Sequence, residues 1–139
     1  MGTKIRPKIS KRNRWWISRE RHLELHYFCL QYGEWKKAYA ELEQYGVGAT
    51  PFLFETRHTE PSDPTAKLAV AKAELVRKIR MVEGTAYAAD PELAPYILKA
   101  VTEDLSFPVL KSKHGIPCER DMYYDRFRKF FWLLNHARE

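Results

Sequence analysis

The last twenty residues constrain this chain more than any other part of it. Tyr123, Phe127, Phe130, Phe131 and Leu134 recur at i, i+4, i+7, i+8 and i+11. Side chains at that spacing fall on one face of an α-helix and nowhere together on a strand. Four of the five are aromatic, so the helix needs a cavity of matching size built by other elements. The spacing predicts a terminal helix over about 119–137, buried on this stripe. Met122, Arg126 and Lys129 fall opposite it, with Asp121 and Arg128 on one flank and Arg120 and Tyr124 on a shoulder near the start.

The other elements read as helices too. Ser18 is a suitable cap for a helix running to about Tyr32, with Leu23, Tyr27 and Leu30 at helical spacing. Gly33 is expected to break it, and a second helix to run from about Glu34 to Tyr45 with Trp35, Ala38, Tyr39 and Leu42 on one side. These two are expected to pair as a hairpin. Gly46, Gly48 and Pro51 mark a connector, in which Phe52, Leu53 and Phe54 are expected to pin the chain to the core. Ser62-Asp63-Pro64 places a cap before a first-turn proline. The helix it opens carries Leu68, Ala71, Leu75, Ile79, Val82 and Ala86 to about Tyr87. That stripe can pack within one chain or serve as the seam of a homodimer.

Asp90-Pro91 opens the next helix, with Leu93, Ile97, Leu98 and Val101, to about Glu103. Ser106 with Pro108 opens a short one, Phe107 to His114, closed by Gly115, and Ile116-Pro117 forms the turn into the terminal helix. The fold class expected is all-α: a helical hairpin, a long connecting helix and a C-terminal three-helix unit. The divisions expected are a basic flexible arm over 1–14, an aromatic hairpin and loop over 15–61, and a long helix with the three-helix unit over 62–139.

Charge placement sharpens the functional reading. The net charge is +6. Residues 1–14 hold Lys4, Arg6, Lys8, Lys11, Arg12 and Arg14 and no acid, while 111–139 hold seven Lys and Arg against four acids. Positive charge at both ends suits a polyanion. Three consecutive helices, the middle one short and joined by a glycine-bearing turn to a basic last helix, form the helix-turn-helix order, in which the last helix enters the major groove of duplex DNA. On that reading Arg120, Tyr124, Arg126, Arg128 and Lys129 contact bases and phosphates. Lys111 and Lys113 hold the backbone, and the arm adds phosphate or minor-groove contacts. Asp121 and Asp125 oppose it, since acids repel phosphate.

The stretch Ser106-Phe-Pro-Val-Leu-Lys-Ser-Lys-His-Gly-Ile-Pro-Cys-Glu-Arg-Asp-Met-Tyr-Tyr-Asp-Arg-Phe-Arg-Lys-Phe-Phe-Trp-Leu-Leu134 resembles the C-terminal helix-turn-helix of phage late-gene activators of the ArpU and RinA type. These resemble the promoter-reading region of sigma factors. The likeness runs from Ser62 onward, with the long helix where those activators have a helical connector. It departs at the turn, where Gly115-Ile116-Pro117-Cys118 replaces a shorter Gly-Ile-Ser. The resemblance implies a phage or prophage DNA-binding regulator of transcription. The alternatives are a phage module that binds RNA polymerase or another protein, and a small-terminase-like DNA-binding protein.

Other chemistry finds little footing. His22, His26 and Cys29 share a helical face, but no fourth metal ligand is evident, so no metal or cofactor is expected. Cys118 near His114 reads as a turn residue rather than a nucleophile. No phosphate loop, nucleophile elbow or HExxH is present, so an enzyme is not expected. Trp15, Trp16, Trp35 and Trp132 read first as core, and would stack on unpaired bases only if exposed. With no apolar run of membrane length and no signal-peptide pattern, the expected setting is the cytoplasm of a bacterial host, with the two cysteines as free thiols.

Overall fold

The computed structural model describes residues 10–44 and 63–139, and every regular element among them is a helix. The elements are α1 (Arg19–Cys29), α2 (Tyr32–Gln44), α3 (Pro64–Ala89), α4 (Ala94–Glu103), α5 (Phe107–His114) and α6 (Arg120–Ala137). The all-α expectation holds, with the long helix and three successive helices after it. No helix among the described residues is long and apolar enough to cross a membrane. Lys4, Arg6, Lys8 and the Phe52-Leu53-Phe54 pin lie outside the described residues.

The helix starts follow from local chemistry. The Ser18 hydroxyl accepts from the Arg21 N–H at 3.2 Å and caps α1. Asp63 Oδ1 accepts from the Thr65 N–H at 3.0 Å and opens α3. Asp90 Oδ1 accepts from the N–H groups of Glu92 and Leu93 at 2.9 and 3.1 Å, so Asp90-Pro91 makes a turn and α4 begins three residues later than its sequence signal. Gly115 takes φ +65°, and the Ile116 N–H reaches back to the Leu110 carbonyl at 3.2 Å. That left-handed closure stops α5 where glycine was expected to stop it. Asp104 closes α4 in the same conformation, at φ 58°, without being glycine.

Gly33 does not break the chain. It lies in the first turn of α2, and the interruption falls at Leu30–Gln31 instead. Glycine's cost in a helix is backbone entropy, about 1 kcal/mol relative to alanine, too little to end one by itself.

The described residues divide into two units, 10–32 with 81–139, and 33–44 with 63–80. In the second, α2 and the first part of α3 face each other through Lys72, whose ammonium lies 2.9 Å from Glu43 and 5.6 Å from the Tyr39 ring, and through Lys78, 5.8 Å from the Trp35 ring. In the first, α1 packs on α6 and α4, and α4 on α5. α1 joins the C-terminal helices, because its buried residues Leu25 and Cys29 and its ring-bearing His22 and Phe28 match the aromatic stripe of α6.

That stripe is the centre of the unit. Tyr123, Phe130, Phe131 and Leu134 are buried, as are Ile97, Val101, Leu110, Ile116 and Val82. The rings meet edge-on, Phe127 to Phe131 at 5.1 Å and Phe130 to Phe131 at 5.0 Å, an arrangement aromatic quadrupoles favour. Along the seam His22 lies 4.4 Å from the Phe131 ring, Arg21 Nε donates to Asn135 Oδ1, and the Arg138 guanidinium sits 4.0 Å from the Phe28 ring.

Candidate nucleic-acid interface

The sequence-derived contact residues separate into three groups once α6 is in place. The first is a ladder. Arg120, Tyr124 and Arg128 stand at four-residue steps on one edge of α6, beside the buried stripe. The Tyr124 ring has the Arg120 guanidinium at 5.9 Å and that of Arg128 at 5.8 Å. Arg120 is exposed at the mouth of the α5–α6 turn, and Arg128 is half-buried. Both distances lie at the outer reach of a cation–π contact, which draws the two guanidinium groups toward one ring. Arginine so held keeps its N–H fork available for phosphate or guanine.

The second group is internal. Arg126 Nε donates to Asp90 Oδ2 at 2.9 Å and its Nη1 to Asp125 Oδ2 at 2.6 Å. Its pKa is raised by those two hydrogen-bonded carboxylates. Asp90 is also the cap of the α4 turn, so Arg126 joins the middle of α6 to the start of α4. Two carboxylates share one cation, so this network presents no positive charge. Lys111 is similarly engaged, 3.1 Å from the Cys118 carbonyl and 3.3 Å from Glu119. It braces the turn that leads into α6, while Lys113, on the same short helix, is exposed.

The third group comes from the other end of the chain. Trp15 lies across the outward ridge of α6. Its indole N–H donates to Asp125 Oδ1 at 3.1 Å, and its ring meets Trp132 edge-on at 5.2 Å. Both Arg14, at 4.7 Å, and Lys129, at 5.6 Å, sit over that ring. Lys11 lies 5.7 Å from the Trp16 ring. Lys11, Arg12 and Arg14 are exposed, and both tryptophans are half-buried. The indoles thus serve as contacts within the protein, and the condition for base stacking, an exposed pair, is not met.

Sequence reasoning missed Trp15 and Asp90. The Asp90 cap was legible, but a carboxylate has two oxygens and nothing local shows where the second one goes. Trp15 precedes the first helix and carries no periodicity, so its docking across 110 residues left no signal.

The residues weighed for other chemistry are also accounted for. His22 packs on Phe127 and Phe131, and its pKa falls to about 4, chiefly through burial and also through the charge of His26. Cys29 is buried, which pushes its thiol up to about 12. Cys118 is buried under the turn and its pKa is raised, mostly by desolvation. Among the described residues no three His, Cys, Asp or Glu side chains gather as metal ligands.

No protein family, no characterised protein and no solved structure matches this chain.

Proposed function

We propose that this protein is a duplex-DNA-binding regulator of transcription of phage or prophage origin, contacting DNA through the first half of α6 and the basic segment before α1. The observation that carries the reading is the Arg120–Tyr124–Arg128 ladder at the start of a terminal helix that follows a short helix and a glycine-closed turn. A helix reads a groove with its N-terminal residues, and Arg120, at that end of α6, is exposed. The engagement of Arg126 narrows the contact set. Its role passes to bracing, while Arg120, Tyr124, Arg128, Lys113 and the Lys11–Arg14 segment remain for phosphates and bases.

Salt dependence tests this directly. Neutralising about four to six phosphates gives a slope of log affinity on log salt near −4 to −5. A slope near zero on duplex DNA excludes the reading. Capture of RNA polymerase or another purified protein at salt that abolishes DNA binding supports the protein-interaction alternative, and ring-shaped oligomers support the terminase-like one. Selection from a random DNA pool then tests sequence preference, and recovery of no motif removes the sequence-specific part of the proposal.

A further inference from the structure

We infer that Trp15 is a positioning residue that fixes the basic N-terminal segment to α6, so that Arg14 and Lys129 form one preorganised phosphate clamp. The inference rests on the duplex-DNA reading above, and departs from the picture of an independent charged tail.

Three observations converge on Trp15. Its N–H is hydrogen-bonded to Asp125, its edge meets Trp132, and two cations from opposite ends of the chain lie over the same ring. The backbone on either side is fixed as well. Asn13 Oδ1 accepts from the Trp15 N–H at 2.8 Å, and the Trp16 N–H donates to the Asn13 carbonyl at 3.1 Å. Arg14 is therefore held between a closed turn and a docked indole. Two like charges gathered around one indole repel each other, and an anion bridging them relieves that repulsion. Asp90 and Asp125 together carry two negative charges against the one positive charge of Arg126, so they offset one of the two cations over the ring and leave the other for an external anion. A phosphate oxygen matches the requirement, and a DNA strand offers a row of them.

Because the clamp lies on the outward ridge of α6, a strand held there runs beside the Arg120–Tyr124–Arg128 edge. Preorganisation also removes much of the ordering cost that a free tail meets on binding.

The test uses the full chain and a duplex of random sequence. Four Gly and Ser residues inserted between Arg14 and Trp15 keep every charge and the Trp15 contacts to Asp125 and Trp132, but open the Asn13 turn and release Arg14 from Lys129. The insertion should weaken binding about five- to tenfold and make the salt slope shallower by about 0.9, one phosphate's worth. Lys129→Gln should show a similar loss, and the combination should lose less than the two losses together, because both act on one clamp. Far-UV circular dichroism should stay unchanged in both variants. Steep salt-dependent binding by the parent protein with less than a twofold effect of the insertion overturns the clamp and leaves the DNA reading standing. Independent, fully additive losses also overturn it. Salt-insensitive or absent binding by the parent protein removes the DNA reading, and the clamp falls with it.

Discussion

Arg126 Nε lies 2.9 Å from Asp90 Oδ2, joining the middle of the terminal helix to the turn that opens α4. The pair is mostly shielded, with the Asp90 side chain 12% exposed and that of Arg126 31%. Its partial exposure puts it above an ordinary surface pair and below a buried one. Arg126→Ala should therefore lower stability by about 1–2 kcal/mol in chemical denaturation. Asp90→Ala should cost more, because it also removes the cap on Glu92 and Leu93. An Arg126→Ala protein as stable as its parent would show that the brace carries no weight.

The ladder should behave in the opposite way. Arg120→Ala touches an exposed side chain and should change stability by less than about 0.5 kcal/mol. It should nonetheless reduce the salt slope of duplex binding by about one, as should Arg128→Ala. Equal slopes for parent and variants would show that neither arginine meets a phosphate.

His22 makes stability depend on pH. The unfolded imidazole takes up a proton near its ordinary 6.5, whereas the folded one resists until about 4. The unfolded state therefore binds the extra proton in between. Stability from this group is fully present above about pH 6.5, declines through the interval, and levels off below about pH 4, a loss of roughly 3 kcal/mol at most. His22→Leu should flatten the part of the curve between pH 6.5 and 4 relative to the parent. Parallel curves would place His22 in a wetter environment than its ring contacts indicate.

Gly115 should resist substitution for a purely conformational reason. A Cβ there would meet nothing within 4 Å, yet φ is +65°. Gly115→Ala should cost about 1 kcal/mol. Gly115→Asn should cost less, since asparagine tolerates the left-handed region better. Equal costs for the two would mean that space, and not backbone angle, governs the position.

Much of the fold was legible because its signals are local. Caps at Ser18 and Asp63, the closing Gly115 and the α6 stripe each depend on residues within a few positions of one another. Partner choice was not legible. The apolar positions of α1 suit any complementary helix, and nothing local points to the aromatic stripe of α6. The candidate site divided in the same way. Arg120 and Tyr124 followed from helical spacing. The assignment of Arg126 to a groove-facing role was reasonable from its angle on α6, but a side chain's angle does not reveal a carboxylate waiting on another helix. Asp125 is the mirror case. By sequence it counts against DNA, yet in the folded chain it is bonded to Trp15 and Arg126 and serves to seat the segment that carries the positive charge.

The docking of α1 and Trp15 on α6 spans more than a hundred residues of sequence, 110 for Trp15 with Asp125 and 114 for Arg21 with Asn135. On a ribosome this makes order of synthesis matter. α1 is made about a hundred residues before its partner surface on α6, and until α6 emerges Leu25 and Cys29 have no aromatic stripe to cover them. The α2–α3 unit is free to form its own contacts meanwhile, whereas α1 waits for α6, and their pairing then closes a loop of about a hundred residues. Any chain stalled before Phe130 would display an unpaired α1, a state that chaperones and proteases are suited to recognise.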